Sequence, residues 1–200
     1  MPPSLPLFAT DALWRDVFWT SYLAWSAMEL WVFSRDRRAA RGEYKDRGSR
    51  RLIMLLVFAG LFGAFFVAYC SSSTRIAAPD APLFWTGIGL IWVGMALRIW
   101  AVLTLGPLFR TSVFVLEDHR LVTSGPYWKL RNPSYTGGLL SLVGIGLAMG
   151  NWLSLACAAG ALVLAYVRRI AVEEKALSER FGQAWVDYRR RSWALIPPIW

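Results

Sequence analysis

Arg169 and Glu173 stand four residues apart, a spacing that sets a guanidinium and a carboxylate on one face of a helix. Alone, such a pair is a surface salt bridge contributing roughly a few tenths of a kcal/mol. A second polar segment changes its weight. Leu121-Val-Thr-Ser-Gly-Pro-Tyr127 runs on through Arg131-Asn-Pro-Ser-Tyr-Thr-Gly137, lodged between long apolar runs. Ser124-Gly125-Pro126 and Asn132-Pro133 are turn signals, and Pro133 suits the first position of a helix. A plain turn has no need of Tyr127, Arg131 and Tyr135 as well. Donors and aromatic faces beside a fresh helix N-terminus suit an anionic or adenine-bearing small molecule.

The elements that must position these groups belong to a chain too apolar for a soluble domain. Of its 200 residues 56% are hydrophobic and 15% aromatic, against roughly 45–50% apolar in soluble proteins. The length suits one domain, residues 1–200, with three spans in 1–105 and the polar motifs in 106–197. Segments near 14–33, 52–70, 83–105, 135–150 and 152–171 approach the roughly 20 residues needed to cross a bilayer. Gly150-Asn151 makes the last two a tight helical hairpin, which brings the end of 121–137 close to the exit of the fifth span. The expected fold is therefore all-α and polytopic, with five transmembrane helices.

Charge sets the expected orientation. Connection 34–51 carries eight Lys/Arg, 106–134 four and the tail from 168 seven, against one each in the N-terminal segment (Arg15) and in 71–82 (Arg75). The positive-inside bias then puts the N-terminus outside, the C-terminus in the cytoplasm and the candidate site on the cytoplasmic side, formed by loop 106–134 and the end of helix five. The net charge of +9 gathers at that face, which argues against a nucleic-acid partner. Met1-Pro-Pro-Ser-Leu-Pro has no basic n-region or cleavage signal, so no secretory signal peptide is expected. Cys70 and Cys157 lie in apolar runs and His119 is the lone histidine, so neither a disulfide nor a metal site is expected.

Three further expectations concern packing. Gly137, Ser141, Gly146 and Gly150 permit close helix approach. Leu177, Phe181 and Trp185 form an apolar stripe on the charged continuation of helix five, which is expected to lie on the headgroups or on the cytoplasmic loops. Glu29 and Arg98 are intramembrane charges at nearly matching depth, expected to face each other or a shared polar cavity beside the site.

The polar segments also carry a resemblance. Leu121 to Tyr127 followed by Arg131 to Gly137 resembles the signature of the isoprenylcysteine carboxyl methyltransferase family and its phospholipid methyltransferase relatives, L-V-x-x-G-x-Y-x-x-x-R-H-P-x-Y-x-G. Glu173-Glu174, Leu177, Phe181-Gly182, Trp185, Tyr188 and Arg191 resemble the second signature, E-E-x-x-L-x-x-x-F-G-x-x-Y-x-x-Y-x-x-R, and Leu195-Ile196-Pro197 its closing L-I-P. Two positions depart from the pattern. Asn132 stands where a histidine is usual, keeping a donor and an acceptor without an imidazole, and Trp185 replaces a tyrosine.

The resemblance implies a membrane-embedded enzyme that uses S-adenosylmethionine without a Rossmann domain, in keeping with the lack of a dinucleotide-type glycine loop. Carried over, it assigns the cofactor to His119, Leu121, Val122, Tyr127, Asn132, Pro133, Ser134, Tyr135 and Glu173, and a substrate carboxylate to Arg169, with Arg169 and Glu173 as the catalytic pair. Carboxyl O-methylation of an isoprenylcysteine-like or other lipidic acid is the first expectation. Methylation of a phospholipid headgroup amine or of a thiol is the alternative. A non-catalytic membrane binding or assembly protein is the rival from another class, with Asn132 its best support. A transporter is disfavoured, since nothing suggests two symmetric halves with broken helices.

Overall fold

In the computed structural model, residues 5–36, 43–44, 49–109, 114–115 and 121–198 are described. The chain forms helices α1 (Ala12–Asp36), α2 (Ser49–Cys70), α3 (Asp80–Leu105), α4 (Pro133–Met149), α5 (Trp152–Leu155), α6 (Ala161–Phe181) and α7 (Gln183–Arg190). Residues Ala156–Gly160 form a π-helical turn that joins α5 and α6 into one rod, Trp152–Phe181. A two-residue antiparallel ladder, β1 (Glu43–Tyr44) with β2 (Phe114–Val115), clips together two connections expected to be plain loops.

Among the described residues three helices are long and apolar enough to cross a membrane: Arg51–Cys70, Asp80–Leu108 and Trp152–Phe181. At 17 residues α4 is apolar but shorter. It is sheathed by protein instead, with most of its residues buried. In α1, Trp, Tyr and Ser alternate with the aliphatic residues and Arg15, Asp16, Glu29 and Arg35 interrupt them, so its hydropathy is lower although its length of 25 residues would suffice.

Backbone contact between α3 and α4 forms the centre. A Cβ on Gly94 would come within 2.5 Å of the Gly137 carbonyl oxygen, and one on Gly144 within 2.5 Å of the Gly87 carbonyl oxygen. Small residues at these crossings let two helices touch along their length, the packing that replaces hydrophobic drive inside a bilayer. Ser141 completes the seam by donating to the Ile91 carbonyl at 3.3 Å. Of the four small residues expected to permit close approach, Gly137 and Ser141 meet α3, whereas Gly146 packs on Leu155 of α5 and Gly150 on Leu7.

The hairpin between α4 and α5 turns at Gly150, whose φ of 72° is left-handed. Asn151 then caps α5: its Oδ1 accepts from Leu153 N at 2.9 Å and Ser154 N at 3.1 Å, and its Nδ2 donates to the Ser71 carbonyl at 2.8 Å. At the same end of the molecule, Phe8, Phe18, Trp19, Tyr22 and Phe65 stack into an aromatic cluster that joins α1 to α2. Toward the opposite end α1 and α2 become the two walls of a cavity.

Candidate functional site

One face of α6 supplies the polar groups. Tyr166, Arg169 and Glu173 lie at spacings of three and four, so they line up toward α4. Asn132 and Pro133 start α4, which places Tyr135 in its first turn. The Tyr135 hydroxyl donates to Glu173 Oε1 at 2.6 Å and accepts from Arg169 Nε at 2.5 Å, while Arg169 Nε also donates to Glu173 Oε1 at 2.9 Å. Arg169 is 2% exposed and Glu173 21%, so the guanidinium is the buried anchor and the carboxylate the open face. Tyr166 stacks on Tyr135 with ring centroids 4.4 Å apart.

A C-terminal strap closes over the segment before α4. Arg131 N donates to the Trp193 carbonyl at 2.7 Å and Trp193 N to the Lys129 carbonyl at 2.8 Å. Thr136 Oγ1 donates to the Leu195 carbonyl at 2.7 Å. Arg131 reaches Glu174 Oε1 at 2.8 Å through Nε and the Ser192 carbonyl through Nη1. Asn132 Nδ2 donates to the Ala194 carbonyl at 2.9 Å, so this side chain anchors the strap rather than capping α4.

The apolar stripe of the C-terminal helices packs inward on this assembly. Trp185 and Tyr188 on α7 are 3% and 2% exposed, and Leu177 lies on the cavity wall. The expected packing on the loops is what the structure contains. Tyr188 donates its hydroxyl to the Tyr127 carbonyl at 2.5 Å. Burial pushes the Tyr188 phenol up to about 12, with Arg131 and Arg191 opposing the shift. Burial likewise pushes the Tyr127 phenol well above its ordinary value. Both are therefore neutral hydroxyls at physiological pH.

These elements enclose a cavity of about 620 Å³, mostly apolar. Eight of the residues expected in the site lie on its wall: Leu121, Val122, Tyr127, Asn132, Ser134, Tyr135, Arg169 and Glu173. Pro133 is buried in the first turn of α4 and is not part of the lining. His119 falls outside the described residues. Glu29 and Arg98 line the same cavity and do meet, Arg98 Nη2 donating to Glu29 Oε2 at 2.8 Å. Arg98 Nη1 also holds the Ser134 carbonyl at 2.8 Å, tying the pair to the first turn of α4.

Sequence reading missed Tyr166 as a cavity residue, although its position three before Arg169 on the same face was a usable signal. It also missed the α1 and α2 walls, for which no local signal exists. Among the described residues no three His, Cys, Asp or Glu side chains converge as a metal site would require.

The profile of the phospholipid methyltransferase family matches residues 83–184, from the start of α3 into α7. The chain belongs to the phospholipid methyltransferase family. It is similar to protein-S-isoprenylcysteine O-methyltransferase B of Arabidopsis thaliana, with 34% identity over 113 residues, 56% of this chain and 57% of that one. It is also similar to the protein-S-isoprenylcysteine O-methyltransferase of Schizosaccharomyces pombe, with 32% identity over 116 residues, 57% of this chain and 49% of that one. The solved structure of the eukaryotic intramembrane Ras methyltransferase, isoprenylcysteine carboxyl methyltransferase, superposes with a TM-score of 0.56 at 28% identity, covering 73% of this chain and 52% of that chain. The chain spans about half the length of the curated relatives named here. An all-helical integral membrane fold with several apolar helices follows from the structure and these likenesses together.

Proposed function

We propose that this chain transfers a methyl group from S-adenosylmethionine to the carboxylate of a lipidic acid, of which an isoprenylcysteine is the leading candidate. The observation that carries this reading is the Arg169–Tyr135–Glu173 cluster, set on the wall of a largely apolar cavity of about 620 Å³. The donor set fits the cofactor. Glu173 offers an open carboxylate for its hydroxyl or ammonium donors, Tyr135 and Asn132 stand beside it, and Leu121 and Val122 supply apolar surface suited to an adenine face. When bound, S-adenosylmethionine supplies an electrophilic methyl whose bond to sulfur breaks as the acceptor oxygen bonds to carbon.

The chain's own residues have a modest chemical task. A carboxylate is ionised at neutral pH and needs no general base. Arg169 is held by Tyr135 and Glu173, so its planar fork is presented in one orientation, which suits alignment of a carboxylate. The apolar walls keep water from the reacting oxygen and admit a lipid chain. The concentration of basic residues in 34–51, 106–134 and the tail supports a cytoplasmic site with the N-terminus outside.

Glu173 and Glu174 support a second reading, N-methylation of a lipid amine, because an amine must lose a proton to a nearby base. Labelled-methyl transfer by detergent-purified protein over matched acid, amine and thiol lipids separates these readings. Transfer to acids is expected. Transfer to amines alone transfers the role of base to the glutamates, and binding of S-adenosylhomocysteine without transfer to any acceptor supports a non-catalytic protein.

A further inference from the structure

Tyr166 falls outside both family signatures and has no role in the chemistry above, yet it joins the two polar clusters on the cavity wall. Its side chain is buried, and its ring stacks on Tyr135 with centroids 4.4 Å apart and planes inclined by 27°. Its hydroxyl meets the Arg98 guanidinium over Gly138, where a Cβ would stand 2.9 Å from the Tyr166 oxygen and 3.3 Å from Arg98 Nη1. A glycine at 138 leaves the phenol that space. Arg98 is itself fixed, Nη1 donating to the Ser134 carbonyl at 2.8 Å and Nη2 to Glu29 Oε2 at 2.8 Å. Tyr166 therefore has one end held by a guanidinium and one face held against the ring whose hydroxyl joins Arg169 to Glu173.

We propose that Tyr166 is a positioning residue: tied at its hydroxyl to Arg98, it holds the Tyr135 ring in the plane that lets one hydroxyl serve Arg169 and Glu173 together. The inference rests on the cofactor reading above. The torsion that turns a tyrosine ring about its Cβ–Cγ bond is broad, so the rotamer alone does not fix the ring plane. A stacked neighbour supplies that restraint, and a site of this kind needs supporting side chains that are themselves locked. Glu29 on α1 and Arg98 on α3 thereby act on the geometry of α4 and α6 through a single phenol. A ring that only filled space would contribute the same whatever stood at 135. A positioning ring contributes to binding only while Tyr135 has a hydroxyl to place.

The test is a pair of double-mutant cycles read as S-adenosylhomocysteine affinity, measured by calorimetry on full-length protein in detergent. Tyr166→Leu, which removes the ring, should weaken binding about tenfold beside native Tyr135 and less than about twofold in the Tyr135→Phe background. Tyr166→Phe, which keeps the stack and deletes the tie to Arg98, should weaken it about threefold, again only while Tyr135 keeps its hydroxyl. Equal losses in the two backgrounds overturn the proposal, because packing acts alike in both. Wild-type affinity in Tyr166→Leu overturns it as well, and so does wild-type affinity in Tyr166→Phe, which would leave the tie to Arg98 without effect. Should Tyr166→Leu not fold, the Tyr166→Phe cycle decides alone. Wild type that binds no S-adenosylhomocysteine takes down the cofactor reading and this proposal together, whereas binding with additive losses takes down this proposal alone.

Discussion

Tyr135 donates its hydroxyl to Glu173 across 2.6 Å, and this one hydrogen bond links the first turn of α4 to the second half of α6. The same oxygen receives Arg169, so the phenol is the shared vertex of the cluster. Replacing Tyr135 with Phe keeps the ring stacked on Tyr166 and deletes the vertex. Removing one partner from a buried polar set typically costs about 1–3 kcal/mol, so S-adenosylhomocysteine affinity should fall roughly tenfold to hundredfold in Tyr135→Phe and in Glu173→Ala. Calorimetry on folded protein in detergent measures it, and unchanged affinity in both variants would sink the cofactor assignment.

Arg169 should separate binding from turnover. Arg169→Lys retains charge but loses the planar fork. Methyl transfer to an acid acceptor is expected to drop about hundredfold or more while S-adenosylhomocysteine affinity stays within a few-fold of wild type. Parallel loss of both would mean that Arg169 serves only to orient Glu173.

Asn132 holds the strap, with Nδ2 on the Ala194 carbonyl at 2.9 Å. Asn132→Ala should loosen residues 191–198, seen as faster hydrogen exchange there and as accelerated proteolysis after Arg191. Asn132→His restores a ring donor at the position where the family signature has histidine, and protection should return. Identical protection in Asn132→Ala and wild type would show that the backbone pairings of Arg131 and Trp193 suffice.

Tyr188 gives the fold a pH dependence of definite sign. Its phenol rises to about 12 in the folded protein from roughly 10 in an unfolded chain. A raised value means its contribution is complete below pH ~10 and is lost as pH climbs through about 12. Thermal midpoints in detergent should therefore fall across that alkaline window by more in wild type than in Tyr188→Phe. Equal slopes in the two proteins would contradict the buried hydroxyl's role.

What could be read in the sequence was local. The turn residues of 121–137 and the four-residue spacing of Arg169 and Glu173 describe short-range geometry, and both appear as expected. Glu29 and Arg98 were legible because a charge inside a span needs a partner at its own depth. The strap was not, since Asn132 and Ala194 are 62 positions apart and meet through a backbone carbonyl that carries no residue signature. Tyr22, Trp25 and the α2 wall carry no signal in the sequence because membrane-spanning helices offer little contrast between a face toward lipid and one toward a hydrophobic cavity. The ladder pairs Glu43 with Val115 and Tyr44 with Phe114, 72 and 70 positions apart, again beyond periodicity.

The π-helical turn Ala156–Gly160 sets the phase of the last rod. One extra residue in a helical turn advances everything after it by about 100° around the axis. Its backbone also nestles against α2, where a Cβ on Gly60 would sit 2.5 Å from the Cys157 carbonyl oxygen. The rod packs on α2 along its whole length, and beyond the turn its side chains Tyr166 and Arg169 reach Tyr135 of α4. Tyr166, Arg169 and Glu173 point inward as a group because the offset is made once, upstream, rather than by three separate side-chain adjustments.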